Sequence, residues 1–113
     1  MPVLKYSETE PETVFPGLVR RKVYTANLMT LVLDFTNGPK SEPDPPHSHP
    51  HEQSSYIASG EVMFFMEGEE PQHLKTGDLF YVPPGIPHCI QLLTPTARLV
   101  DSFTPIREDF LKK

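Results

Sequence analysis

Three of the chain's five histidines fall within one short stretch, PPHSHPHEQSSY, residues 45–56. Imidazole nitrogen is a borderline donor suited to zinc, nickel, iron or copper. On an extended backbone, side chains two positions apart project from the same side, so His47 and His49 can grip a single ion. His51 and Gln53 share that parity, so spacing alone leaves the third ligand open, and Pro50 bends the path between them. An isolated HxH in a proline-rich loop is commonly a surface feature. A second element adds weight: GDLFYVPPGIPH, residues 77–88, ends on another histidine, His88.

Segments this far apart meet only if the intervening chain folds back on itself, and its pattern is that of short strands. Residues 28–35, LMTLVLDF, are apolar and β-branched, with Leu31, Leu33 and Phe35 on one face of an extended backbone. The turn signal Asn37-Gly38-Pro39 ends that run. KSEPDPP, residues 40–46, lacks amide donors at its prolines and is expected as a loop delivering the chain to the histidines. Strands at Tyr56-Ile57-Ala58 and Val62 to Met66 are expected to form a hairpin across Ser59-Gly60-Glu61. Turns are expected at Glu67 to Glu70 and at Thr76-Gly77-Asp78, and the prolines of residues 79–88 confine strand to the first half of that segment. Further strands are expected at 90–93 and 98–103, after which Thr104-Pro105 would cap and open one short helical turn. No helical spacing persists. The pattern predicts an all-β fold, an antiparallel sandwich or barrel.

Composition narrows the class. A chain of 113 residues fits one domain, and 14 prolines with 6 glycines are too many for long helices. Residues 1–19 are polar and read as an N-terminal arm whose order depends on a partner chain, leaving 20–113 as the single domain. The formal charge of -5 offers no positive field for nucleic acid or anionic lipid, so no nucleic-acid or membrane partner is expected. A single cysteine, Cys89, excludes an internal disulfide framework and fits a reducing compartment. With no apolar leader or bilayer-length run, a cytoplasmic protein is expected. Cys89 follows His88 and reads as a buried structural thiol on the opposite side of its strand, and His73 reads as surface.

The two histidine elements together resemble the paired motifs of the cupin superfamily, whose fold is a double-stranded β-helix closed into a small antiparallel barrel, also described as a jelly roll. The first motif matches at His47, His49, Gln53 and Gly60, and the second at Gly77, Pro83, Gly85 and His88. The resemblance implies a metal site of His47, His49, Gln53 and His88 holding one divalent transition metal ion such as Ni, Zn, Mn or Fe. Three departures stand out. Glutamine replaces the usual glutamate, the stretch between Gly38 and His47 is longer than usual, and Leu92 stands where asparagine is common. The neutral ligand set leaves a divalent ion its full charge, which makes it a strong Lewis acid.

The ending LVDSFTPIREDFLKK adds a second group. Asp101 and Phe103 share a face of the last strand, and Arg107 follows closely. With HSHPHEQ, YIASGEVMFF and PPGIPH, this ending resembles short single-domain cupins of pectin degradation, which open 4,5-unsaturated uronates to linear keto-uronates. The resemblance implies an isomerase-type enzyme of carbohydrate metabolism with a sugar-acid substrate. Asp101 would be its general acid/base, Arg107 its carboxylate clamp and Phe103 its ring-packing residue. A metal-dependent dioxygenase and a non-enzymatic small-ligand binder are the alternatives. The resemblance also implies a homodimer, with the N-terminal arm exchanged between protomers.

Overall fold

A computed structural model describes residues 3–111. Nine strands carry the fold: β1 (Glu12–Phe15), β2 (Leu18–Tyr24), β3 (Met29–Phe35), β4 (Glu52–Ser59), β5 (Glu61–Met66), β6 (Gln72–Lys75), β7 (Leu79–Val82), β8 (His88–Leu92) and β9 (Ala97–Thr104). They form a six-stranded sheet in the order β1-β2-β3-β9-β4-β7 and a three-stranded sheet in the order β6-β5-β8. Every strand pairing is antiparallel. The all-β expectation holds, and among the described residues no helix is long and apolar enough to cross a membrane.

Alternation decides which side chains enter the barrel. In β4 the buried residues are Gln53, Ser55 and Ile57, and in β9 they are Ala97, Leu99, Asp101 and Phe103. Register lines these up across the sheet. Leu33 faces Leu99, which faces Ile57; Leu31 faces Asp101, which faces Ser55; Met29 faces Phe103, which faces Gln53. The main core lies toward one end, built from Leu18, Phe35, Ile57, Val62, Leu92, Ala97 and Leu99. A smaller cluster of Met29, Leu31 and Phe103 lies toward the other. Phe64 and Phe80 stack with centroids 4.1 Å apart and tie the two sheets together.

The proline-rich loop expected at residues 40–46 is no free excursion. Lys40 N donates to Leu92 O at 2.8 Å and Asp44 N donates to Ile90 O at 2.9 Å. His47 and His88 then exchange both backbone bonds, at 3.0 and 2.9 Å. The longer stretch before His47 thus lies along β8 and covers an edge that only β5 otherwise pairs. Gly60 makes the tight β4–β5 turn at φ 82°, where an added Cβ would sit 2.8 Å from the Ala97 Cα.

Three local expectations differ from the structure. Within residues 1–19, Glu12–Phe15 form β1 and Leu18 begins β2, so that segment joins the large sheet and places Leu18 in the core. The alternation of Arg20 and Lys22 with Val19, Arg21 and Val23 hides an edge-near strand behind charge. The stretch around His73, assigned no strand by its sequence and read only as surface between two turns, contains β6, whose residues pair with β5. Thr104 is still in the β4–β9 ladder opposite Glu52, so no helix starts at Thr104-Pro105; the terminal helical turn, of 3-10 type, is Glu108–Leu111. A residue before proline favours extended backbone, and here the ladder reinforces that preference.

Candidate metal centre

His47 arrives from the loop, His49 just before β4 and His88 at the start of β8, and their ligand-capable nitrogens all lie within 4.8 Å of one another. Ring centroids are 4.3 Å apart for His47 and His88 and 4.9 Å apart for His49 and His88. The backbone bridge between His47 and His88 fixes the first pair. Gly85, at φ 76°, donates its N–H to His49 O at 2.8 Å and ties the proline turn to the third histidine.

The outward nitrogens are already committed. His49 Nδ1 lies 3.0 Å from His51 O, and His88 Nδ1 lies 2.8 Å from Ile86 O. Carbonyl oxygens only accept, so both Nδ1 atoms carry the proton and both Nε2 atoms present lone pairs. His88 Nε2 is buried with no hydrogen-bond partner. Burial is the largest influence on all three rings and lowers the basicity of each, so the neutral form is favoured.

Gln53 is held just as firmly. Its Nε2 donates to Ser55 Oγ at 2.9 Å and toward Asp101 Oδ2 at 3.5 Å, which turns Oε1 toward His49 Nε2 at 3.0 Å. Two lone pairs therefore face each other in a buried place. A cation between them satisfies both. Two donors each about 2.1 Å from one ion, at right angles, stand about 3.0 Å apart, which is the spacing observed here. The donor set of three imidazoles and an amide oxygen thus fits a divalent transition metal.

Asp101 sits behind Gln53, buried, with Oδ1 lacking a hydrogen-bond partner. Desolvation pushes its carboxyl up to about 6, against the opposing influence of the Ser55 hydroxyl bond and the Arg107 charge. Phe103 lies edge-on to His49, with centroids 5.5 Å apart, and Arg107 sits over Phe103 with its guanidinium carbon 5.3 Å from the ring centre. Asp101, Phe103 and Arg107 line one cavity of about 520 Å³ together with His47, His88 and Gln53.

All seven residues singled out by sequence are therefore neighbours, with two differences in detail. Arg107 is not an open fork: its Nε and terminal nitrogen reach the Asp109 carboxylate at 3.3 and 2.7 Å. Phe103 is 3% exposed and forms the floor of the site. His51 stays outside the ligand group and serves through its backbone carbonyl. His73 is exposed and pairs with Glu61 at 2.7 Å. Cys89 is buried, and it lines the cavity along with His88 rather than turning wholly away. Sequence reasoning missed Ser55, Asp44 and Arg20. Ser55 was findable, because it shares the parity of Gln53 two residues on in the same strand. Asp44 and Arg20 carried no such signal.

Comparison with known proteins agrees with this geometry. The cupin domain family model matches residues 35–101. The pectin degradation protein KdgF of Dickeya dadantii is 33% identical over 106 residues, covering 92% of this chain and 93% of that one. The structure of KdgF from a Halomonas species superposes with a TM-score of 0.84 at 30% identity, covering 94% of this chain and 96% of the other. An RmlC-like cupin from Shewanella frigidimarina superposes with the same TM-score of 0.84 at 34% identity, covering 95% and 93%. The paired motifs, the barrel and these matches lead to one conclusion: the chain belongs to the cupin family.

Proposed function

We propose that this protein is a metal-dependent enzyme that opens the ring of 4,5-unsaturated uronates, giving the linear keto-uronate. The observation that carries the reading is the buried Asp101 carboxyl placed against the metal-ligand set in a cavity that also holds Arg107. Similarity to the pectin degradation protein KdgF of Dickeya dadantii and to the KdgF of a Halomonas species supports the choice of sugar acid.

His47, His49, Gln53 and His88 would hold the ion, which when bound supplies Lewis-acid polarisation of substrate oxygen. Ring opening is redox-neutral, and its proton economy needs one carboxyl group. Asp101 accepts the anomeric hydroxyl proton as the bond between the anomeric carbon and the ring oxygen breaks, leaving an aldehyde and an enolate. The proton then goes to the former vinylic carbon and the enolate becomes a ketone. Ser55 and Gln53 orient the Asp101 carboxylate through their hydrogen bonds. Arg107 meets the substrate carboxylate, with Asp109 holding the guanidinium in place until then. Phe103 packs beneath the sugar ring. The net charge of -5 repels an anionic sugar at long range, so the local cations must draw it in.

The test is incubation with 4,5-unsaturated galacturonate while following the ultraviolet absorbance of its conjugated double bond. The native protein abolishes that absorbance and the metal-stripped protein does not; unchanged absorbance with metal-loaded protein would reject the reading.

The proposal includes a homodimer. Tyr56, Leu79 and Tyr81 are 42, 70 and 71% exposed on β4 and β7 of the large sheet, an apolar strip suited to a second copy. Sedimentation at micromolar concentration is expected to give twice the chain mass, and a monomer would remove this part of the proposal.

A further inference from the structure

Outside the ligand cluster, two charged residues in the cavity wall, Arg20 and Asp44, have no place in the chemistry above, and Arg20 is the cation of the two. Arg20 projects from β2 into the same cavity, with its side chain 14% exposed. Its cross-strand neighbours are Glu12 on β1 and Leu33 on β3. Its Nε stands 3.5 Å from Glu12 Oε1, and that oxygen also accepts a 2.6 Å bond from Lys22 Nζ. One carboxylate is therefore shared by two cations. The same cavity is lined by the apolar side chains of Val14, Phe15, Leu18, Leu33 and Leu99, and by the acid Asp44.

Register sets the distance from Arg20 to the reacting end. Asp101 faces Leu31, which faces Lys22, and Arg20 is one same-face position from Lys22. Strand spacing and rise then put the Arg20 and Asp101 Cα atoms roughly 12 Å apart. Arg107 lies at the opposite, ligand-cluster end, where its charge lowers the basicity of His47, His49 and His88.

Ring opening requires a free anomeric hydroxyl, so the sugar that reacts is a monosaccharide with a single carboxylate. With that carboxylate at Arg107, the part of the ring turned toward Arg20 carries hydroxyls only. We propose that Arg20 is a substrate-binding residue that donates hydrogen bonds to the ring hydroxyls remote from the ligand cluster, fixed in position by Glu12. This rests on the ring-opening reading for its substrate. A guanidinium offers several donors in one plane, which suits two neighbouring hydroxyl oxygens, and apolar walls make each such bond count. Arg20 takes no part in the proton transfer, so its loss weakens binding and spares turnover.

The experiment compares native protein with Arg20→Gln and Arg20→Lys, each checked for native circular dichroism and equal metal content. With 4,5-unsaturated galacturonate, Arg20→Gln raises KM about tenfold and leaves kcat within about twofold. Arg20→Lys keeps the charge and the Glu12 pair but loses the fork, and raises KM about threefold. It also decides the matter if the glutamine variant fails to fold. Calorimetric titration with saturated galacturonate reads the same contact without chemistry, and its affinity falls in step. Unchanged KM and unchanged galacturonate affinity in the folded variants would overturn the assignment, as would a fall in kcat at constant KM. If the native protein turns over no unsaturated uronate, the ring-opening reading fails, and the calorimetric comparison still judges Arg20 by the same loss of affinity.

Discussion

The two ends of the barrel are built from the same three strands and yet differ in kind. At one end β3, β9 and β4 point Leu33, Leu99 and Ile57 inward, and these pack into an aliphatic core. One same-face step along, the inward set is Leu31, Asp101 and Ser55, and the next is Met29, Phe103 and Gln53. The backbone does not change between them. The difference lies in what the side chains must do with burial. Leu99 gains roughly 2 kcal/mol by leaving water. Asp101 loses by it: its carboxyl is pushed up to about 6 by desolvation and is tolerated because Ser55 and Gln53 donate to it. Stability is concentrated at one end and spent at the other, where lone pairs are left facing each other.

That contrast makes separable predictions. The largest effect is expected from His88→Ala, which removes a proposed ligand: metal affinity falls more than about a hundredfold and turnover drops to background, read by metal analysis of dialysed protein and by the absorbance assay. Asp101→Asn keeps the shape and the Gln53 contact, so metal content stays native while kcat falls about 10²–10⁴-fold. Full activity in that variant would remove Asp101 from the chemistry.

At the aliphatic end the pattern reverses. Leu99→Ala is expected to cost about 2–5 kcal/mol in denaturant unfolding, with metal content per folded molecule unchanged. Equal loss of metal and stability would show that the two ends are not separable. The smallest effect concerns Asp44, in the loop along β8, whose carboxyl is raised by burial, with Lys40 opposing. A carboxyl with a raised folded pKa favours the native state fully below the ordinary carboxylate range, and that contribution is lost as pH rises through the raised value. Partial exposure screens the group and keeps the change small. Asp44→Asn should flatten the fall in melting temperature as pH rises above the ordinary carboxylate range, and an identical slope in both proteins would exclude this role.

The same contrast explains what was legible beforehand. The histidines and Gln53 stood out because ligand chemistry restricts residue type and the paired motifs restrict spacing. Leu31, Leu33 and Phe35 stood out because a half-buried strand alternates. Asp101 and Phe103 were visible as a same-face pair in the last strand. β1 and β2 were not, since Glu12, Arg20 and Lys22 form a half-buried charged seam where alternation of polarity gives no contrast. β6 was hidden for a related reason: an edge strand of QHLK buries almost nothing, so nothing in its composition distinguishes it from a turn. The Arg107–Asp109 fork depends on where the chain goes after Thr104, which strand periodicity does not reach.

The most direct test is X-ray absorption on protein loaded with nickel or zinc and dialysed free of excess. Retention of one ion per chain, with a shell of three imidazole nitrogens plus an oxygen that is altered in Gln53→Ala, is the result expected from the opposed His49 and Gln53 acceptors. An ion that dialyses away, or a shell without imidazole, would contradict the account at its foundation.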